Sequence, residues 1–350
     1  MAVPLEALRA AIGRAAPESP QEAEAAGPSR AEWIGRAVSS GESRRGFLRT
    51  LVGAAAALAA GCRGSAGGGA GAAERESTMP EASRSKPEAR PSRMPVLFVG
   101  HGSPMNVIED NRWSRGFAVL RDAVPRPKAI LAISAHWFVD GTYLTGSATP
   151  ETIHDFYGFP QALFDVDYPA PGRVDLAERV RRLLGKERAA LRTDWGLDHG
   201  TWSVLRWMYP AADVPVVQLS LDRRLDARSH VDLARALAPL RDEGVLILGS
   251  GNIVHNLGDA GARMQAGDTA TPAWAREFDT TVAQALSQRD TQALVAAWPD
   301  SEHGRRAHPS PDHWWPLLYA YAATDHRDAA RFPIEGFDWG SISMRAVRFG

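Results

Sequence analysis

The sequence predicts a single three-layer α/β/α domain over residues 94–350, with a mostly parallel or mixed central sheet. Three observations carry that expectation. Short apolar runs rich in β-branched residues alternate with longer amphipathic helical patterns along this stretch. Two of those runs pass into a small residue followed directly by histidine, Gly100-His101 and Ala135-His136. The 350 residues are 44% hydrophobic and 23% charged, which is ordinary for a soluble protein and leaves ample material for a large core.

The elements follow in order. Residues 95–99 form a first apolar run that stops at Gly100-His101, and residues 129–134 a second that stops at Ala135-His136. Residues 214–219 form a third, and residues 245–248 a fourth that leads into Gly249-Ser250-Gly251-Asn252. Their unbroken apolar character suits strands covered on both faces. Helical periodicity covers 174–184, 228–240, 274–287 and 312–323. Residues 341–349 alternate one by one and read as a final strand, at an edge or antiparallel. Open α/β sheets bind ligands beyond the carboxyl ends of their strands. Histidines therefore follow the first, second and fourth runs at an edge where function is expected.

Residues 1–93 are a different kind of sequence, rich in Ala, Gly, Ser, Glu and Arg. Within them, Ser43-Arg44-Arg45-Gly46-Phe47-Leu48 precedes an apolar run over 51–60. The run is shorter than the roughly 20 apolar residues a spanning helix needs. A charged stretch, a short apolar segment and small residues make an export signal over 43–62. The arginine pair followed by Phe-Leu resembles a twin-arginine signal, an address read by a receptor. Leu58-Ala59-Ala60-Gly61-Cys62 resembles a lipobox that departs from the usual pattern at Ala59. A lipid anchor at Cys62 therefore competes with simple cleavage. The expected location is periplasmic or that of a membrane-anchored lipoprotein, with a cytoplasmic one as the alternative. Residues 63–93 read as a flexible linker.

Composition also excludes. A formal net charge of −1 and the lack of a Lys/Arg stripe argue against nucleic acid as a partner. Cys62 is the single cysteine, so no intrachain disulfide and no cysteine-based zinc cluster can form. Any metal must be held by nitrogen and oxygen. Nothing in the sequence fixes an oligomeric state.

Five histidines sit in compact, turn-punctuated signatures that suit such a site. They are His101 in Gly100-His101-Gly102-Ser103-Pro104, His136 in Ser134-Ala135-His136-Trp137, and His199 in Asp198-His199-Gly200. The other two are His255 in Asn252-Ile253-Val254-His255-Asn256 and His313 in His308-Pro309-Ser310-Pro311-Asp312-His313. Neutral imidazole is the commonest protein metal ligand and titrates near neutrality, so the set suits both coordination and proton transfer. His199 reads differently from the others, in an Asp-His-Gly turn with Thr201-Trp202 opening a helix; it suits proton transfer. His313 is expected at a helix start, fixed by Pro309 and Pro311. His154 is a candidate to orient substrate, and Trp137, Tyr157 and Trp202 are candidates to pack on an aromatic ring or simply in the core. His230, His303, His308 and His326 read as surface or turn residues.

On these segments the chain resembles the class III extradiol ring-cleavage dioxygenases, in particular the DOPA 4,5-dioxygenase-type branch. Gly100-His101-Gly102-Ser103-Pro104-Met105-Asn106, Ser134-Ala135-His136-Trp137 and Thr152-Ile153-His154-Asp155-Phe156 with Gly158-Phe159-Pro160 carry the likeness. Asp198-His199-Gly200, Val254-His255-Asn256-Leu257 and His308-Pro309 with Asp312-His313 complete it. The resemblance implies one divalent non-haem metal, Zn2+ or Fe2+, held by His101, His136, His255 and His313. It implies His199, poised by Asp198, as the acid/base, and a small aromatic diol such as DOPA with O2 as substrates. Non-haem Fe(II) oxygenases usually include a carboxylate ligand, and none stands in an obvious ligand place here. Four histidines could instead close a tetrahedral zinc site. Two alternatives use the same ligands: a zinc-dependent hydrolase and a non-catalytic metal-binding protein of the same fold.

Overall fold

Aliphatic strands that bury both faces build the centre of the molecule, and the alternation of their side chains separates two helical layers. The computed structural model describes residues 93–350. Its main sheet comprises β1 (Val96–Gly100), β2 (Ala129–Val139), β3 (Thr142–Thr145), β4 (Ala189–Arg192), β5 (Val216–Asp222), β6 (Val245–Gly251), β7 (Ala330–Ile334) and β10 (Ala346–Phe349). A small separate pair joins β8 (Phe337–Asp338) to β9 (Ile342–Ser343). The main sheet runs in the order β4-β3-β5-β2-β6-β1-β10-β7.

The four central strands, β5, β2, β6 and β1, are mutually parallel, so their carboxyl ends share one edge. β3 lies antiparallel to β5, and β10 lies antiparallel to both β1 and β7. The sheet is mixed with a parallel centre, as expected. Val96, Phe98, Leu131, Ile133, Leu219 and Ile247 face one layer, which holds the helices Val174–Leu184, Ala227–Arg235, Ala273–Gln288 and Trp315–Ala322. Leu97, Val99, Ile130, Ala132, Leu246 and Leu248 face the other, which holds Arg112–Leu120 and His199–Met208. Period-two alternation along each strand is what permits two such cores.

Several boundaries differ from expectation for identifiable reasons. The helix expected over 228–240 ends at Arg235, and a 3-10 turn with Pro239 follows, because proline lacks the N–H a helix interior needs. The helix expected from residue 312 begins at Trp315, since Pro316 fits only a first turn. The final segment divides into β9 and β10, and Arg345 between them turns inward to Asp279 at 2.6 Å. β10 is also covered by β7 rather than lying at the edge. The export signal and Cys62 lie outside the described residues. Among the described residues, no helix is long and apolar enough to cross a membrane.

His230 and His308 correct the reading that took them for surface or turn residues. Both are buried, His230 with Nδ1 3.2 Å from the Tyr319 hydroxyl and His308 with Nε2 2.8 Å from Ile253 O. Burial pushes each imidazole down to about 4 from 6.5. Above 6.5 both folded and unfolded chains hold these rings neutral. Below it the unfolded chain binds protons that the folded one refuses, so stability falls until the folded value is reached. Between pH 6.5 and 5 each ring is expected to cost about 2 kcal/mol. Urea unfolding should show a lower midpoint at pH 5 than at pH 7, and His230→Gln should reduce the drop; a pH-independent midpoint would contradict this.

Candidate metal centre

The shared carboxyl edge of the parallel strands assembles the histidines. His101 leaves β1 directly, with its N–H donating to Gly251 O at 3.1 Å and its carbonyl accepting from Asn106 Nδ2 at 3.1 Å. His136 does not follow β2 but lies within it. Pairing with β6 ends at Ser134↔Ser250, while β2 continues against β5 to Phe138↔Leu221 and beyond. The extra length carries His136 past the end of β6. His255 comes four residues after Gly251 and donates its N–H to Ala307 O at 3.0 Å.

His313 sits in the turn before the Trp315–Ala322 helix rather than in its first turn. Its carbonyl accepts from Asn252 N at 3.1 Å. A Cβ on Gly251 would stand 2.4 Å from that same carbonyl, so only glycine allows the turn so close to the strand. His199 is the first residue of the His199–Met208 helix, whose N-cap is Asp198.

These five side chains form one cluster. The ring centroids of His101, His136 and His313 are separated by 5.1, 5.2 and 5.1 Å, close to an equilateral triangle. His101 Nε2 and His136 Nε2 lie 3.2 Å apart. His199 lies beside His136, tilted by 51° with centroids 3.9 Å apart, and lies 5.6 Å from His101. His255 lies flat on His313, centroids 3.4 Å apart and planes within 7°. Among the described residues, His101, His136 and His199 can each bring one nitrogen within 4.8 Å of the others.

Two carboxylates stand behind the rings. Asp155 Oδ2 is 3.0 Å from His136 Nδ1, and its Oδ1 is 3.0 Å from His199 Nδ1 and accepts the His199 N–H at 2.9 Å. The His199 ring nitrogen is at ion-pair distance but out of line for a hydrogen bond. Asp312 Oδ2 is 2.5 Å from His313 Nδ1. A carboxylate only accepts, so His136 and His313 carry a proton on Nδ1, which in the neutral ring leaves Nε2 as a lone pair; burial would lower His136, but the charge of Asp155 outweighs it and raises it. His313 Nε2 is buried with no partner. Burial also lowers His199 to about 4, overriding the pull of Asp155, so the ring is neutral at pH 7. Burial would raise Asp155 and Asp312, but the facing histidines outweigh it and hold both below the usual carboxylate range. Imidazoles with inward lone pairs and carboxylates on their outer nitrogens fit a divalent metal ion.

The other expected site residues fall elsewhere. Asp198 is fully buried and accepts from Ser134 Oγ at 2.6 Å, from Thr201 N at 3.2 Å and from Gln218 Nε2. Burial and the charge of Asp155 push it up to about 6. Its oxygens are committed to this network and to the helix cap, so Asp155 replaces it as the carboxylate at His199. Trp137, next to His136 in β2 and therefore on the opposite face, is buried against Trp195 with rings 5.4 Å apart and 8° from parallel. Trp202 is buried and donates Nε1–H to Ile153 O at 2.9 Å. His154 donates Nε2–H to Val166 O at 2.9 Å and packs on Phe156, which in turn meets His199 at 5.5 Å. These three are packing residues behind the cluster. Tyr157, 44% exposed, is the one of the four candidates open to solvent. Asp155 was missed in the sequence, although it adjoins His154 within a motif.

A buried histidine cluster backed by carboxylates, at the ligand-binding edge of an α/β sheet, defines a non-haem metalloprotein. The chain belongs to the family of the catalytic LigB subunit of aromatic ring-opening dioxygenase, which it matches over residues 95–349. It is 46% identical over 262 residues to the 4,5-DOPA dioxygenase extradiol of Escherichia coli (strain K12), covering 74% of this chain and 96% of that protein. The Beta vulgaris 4,5-DOPA dioxygenase extradiol is 38% identical over 260 residues, covering 73% of this chain and 96% of that one. The crystal structure of an uncharacterized Escherichia coli K12 protein matches with a TM-score of 0.65 and 42% identity, over 74% of this chain and all of that one. The family expected from the histidine motifs is thereby shown, and with it an oxygen-incorporating, ring-cleaving dioxygenase rather than a hydrolase.

Removing the charge of Asp155 tests its place behind His136 and His199. Asp155→Asn should keep the fold yet bind metal roughly 10–100-fold more weakly, the usual effect of losing a ligand's outer hydrogen-bond partner. Titration against a chelator measures this, and wild-type affinity in the variant would refute the role.

Proposed function

We propose that this protein opens the ring of a catechol, with DOPA as the leading candidate, beside its two hydroxyls and with O2 as co-substrate. The metal would be held by His101, His136, His255 and His313, with His199 free for proton transfer. One observation carries the reading: the rings of His101, His136 and His313 form a near-equilateral group, and two of them are pinned by carboxylates at Nδ1, which leaves Nε2 for a metal. Fe2+ is the metal proposed for turnover, and Zn2+ could occupy the same nitrogens without redox chemistry.

When bound, the metal supplies Lewis-acid activation of the diol and the redox chemistry with O2. The chain's residues do the rest. His199, neutral because it is buried, can take a hydroxyl proton on the ring nitrogen turned away from Asp155. The resulting imidazolium is stabilised by the Asp155 carboxylate 3.0 Å from its Nδ1. Phe156, packed against His199, keeps water from its flank. Tyr157, exposed next to Phe156, is the candidate to meet an arriving aromatic ring.

Anaerobic loading with Fe2+, then addition of DOPA and other catechols followed by oxygen, tests the reading. Oxygen uptake with a yellow ring-fission product is expected, and no uptake across the catechol panel would overturn it. His199→Ala should retain metal while losing about 10²–10⁴-fold in turnover, the usual contribution of a positioned acid–base group. Loss of metal from that variant would place His199 among the ligands instead.

A further inference from the structure

Ser250 is fully buried near the end of β6 and stands between two parts of the centre. Its Oγ lies 3.0 Å from His101 Nδ1 and 2.5 Å from Gly200 O. The direction of both hydrogen bonds is forced. A backbone carbonyl only accepts, so the serine proton goes to Gly200 O. The Oγ then offers His101 nothing but lone pairs, and Nδ1 must be the nitrogen that carries hydrogen. A neutral imidazole has one N–H, so in that form Nε2 carries none. His101 Nε2 is then the acceptor in the 3.2 Å contact with His136 Nε2.

The other two rings of the triangle owe the same orientation to carboxylates, Asp155 and Asp312. Among the described residues no carboxylate lies within ion-pair distance of His101. A hydroxyl serves only if its own proton is committed elsewhere, because a free serine could equally donate to Nδ1 and put the ring proton on Nε2. Gly200 O supplies that commitment. The close approach needs glycine at 200, where a Cβ would lie 2.5 Å from Ser134 Oγ and 2.9 Å from His136 Cδ2.

We propose that Ser250 is a positioning residue for the metal centre, which fixes His101 as the Nδ1–H tautomer and ties it to the first turn of the helix that carries His199. This rests on the metal-centre reading given above. It differs from that reading in its observable, which is present before any metal is added.

The test uses the full chain, 15N-labelled and metal-free, with long-range 1H–15N histidine spectra; His101 is assigned by its absence in His101→Gln. The wild type should show His101 protonated on Nδ1 only. Ser250→Ala should move the proton wholly or partly to Nε2, and Ser250→Thr, which keeps a hydroxyl, should restore the wild-type pattern. In a chelator-competition titration with Zn2+, Ser250→Ala should bind about 10–100-fold more weakly than wild type. An Nε2–H tautomer in the wild type overturns the proposal without any variant. Wild-type zinc affinity in Ser250→Ala, or an unchanged tautomer, overturns it as well. A wild type that binds neither Zn2+ nor Fe2+ would instead defeat the metal-centre reading, and the tautomer comparison would still decide for or against Ser250.

Discussion

The centre depends on one constraint: an imidazole has two nitrogens and, when neutral, one proton. Whatever accepts that proton on the outer nitrogen fixes the lone pair on the inner one. Asp155 does this for His136, Asp312 for His313 and Ser250 for His101. Asp155 and Ser250 reach their rings from elsewhere in the sequence, while Asp312 adjoins His313. Without them, buried rings this close would put N–H groups against one another. With them, the inner nitrogens are left for the centre of the cluster, where they suit a divalent cation.

The sheet explains why these groups meet. Three of the four parallel strands, β1, β2 and β6, deliver His101, His136 and Ser250 to one edge. The turn bearing His313 reaches the same edge because Gly251 leaves room for its backbone. His199 arrives from the helical layer, where Asp198 caps the helix and Asp155 receives the ring's backbone N–H. Strand length matters as much as strand order. β2 outruns β6, and that overhang turns His136 inward over the site while Trp137 goes into packing on the other face.

Much of this was legible in the sequence, for a physical reason. Glycines and prolines next to the histidines mark places where backbone must turn sharply, and apolar runs before them mark buried strands. Those are local signals, and they located all five histidines of the cluster. What was not legible is pairing across the chain. Asp198 adjoins His199 and was expected to poise it, but an N-cap residue spends its carboxylate on backbone N–H groups. Asp155 does that work from 44 residues away, a relation only the fold creates. His308 reads as a surface or turn residue in the sequence, yet in the fold its ring packs against Trp314 and Phe278, residues that adjoin it only through the tertiary structure or the turn itself. Trp137 and Trp202 could not be told from core residues by sequence, and they are core.

The central claim is that the lone pairs of the ligand histidines, and not that of His199, meet on one metal ion. Anomalous diffraction at the iron edge, from crystals of the Fe2+-loaded protein grown without oxygen, tests this directly. A single peak bonded by Nε2 of His101, His136 and His313 and by a ring nitrogen of His255, with the His199 ring unbound, is the expected result. A peak bonded by His199 in place of His313, or none at the cluster, would contradict it.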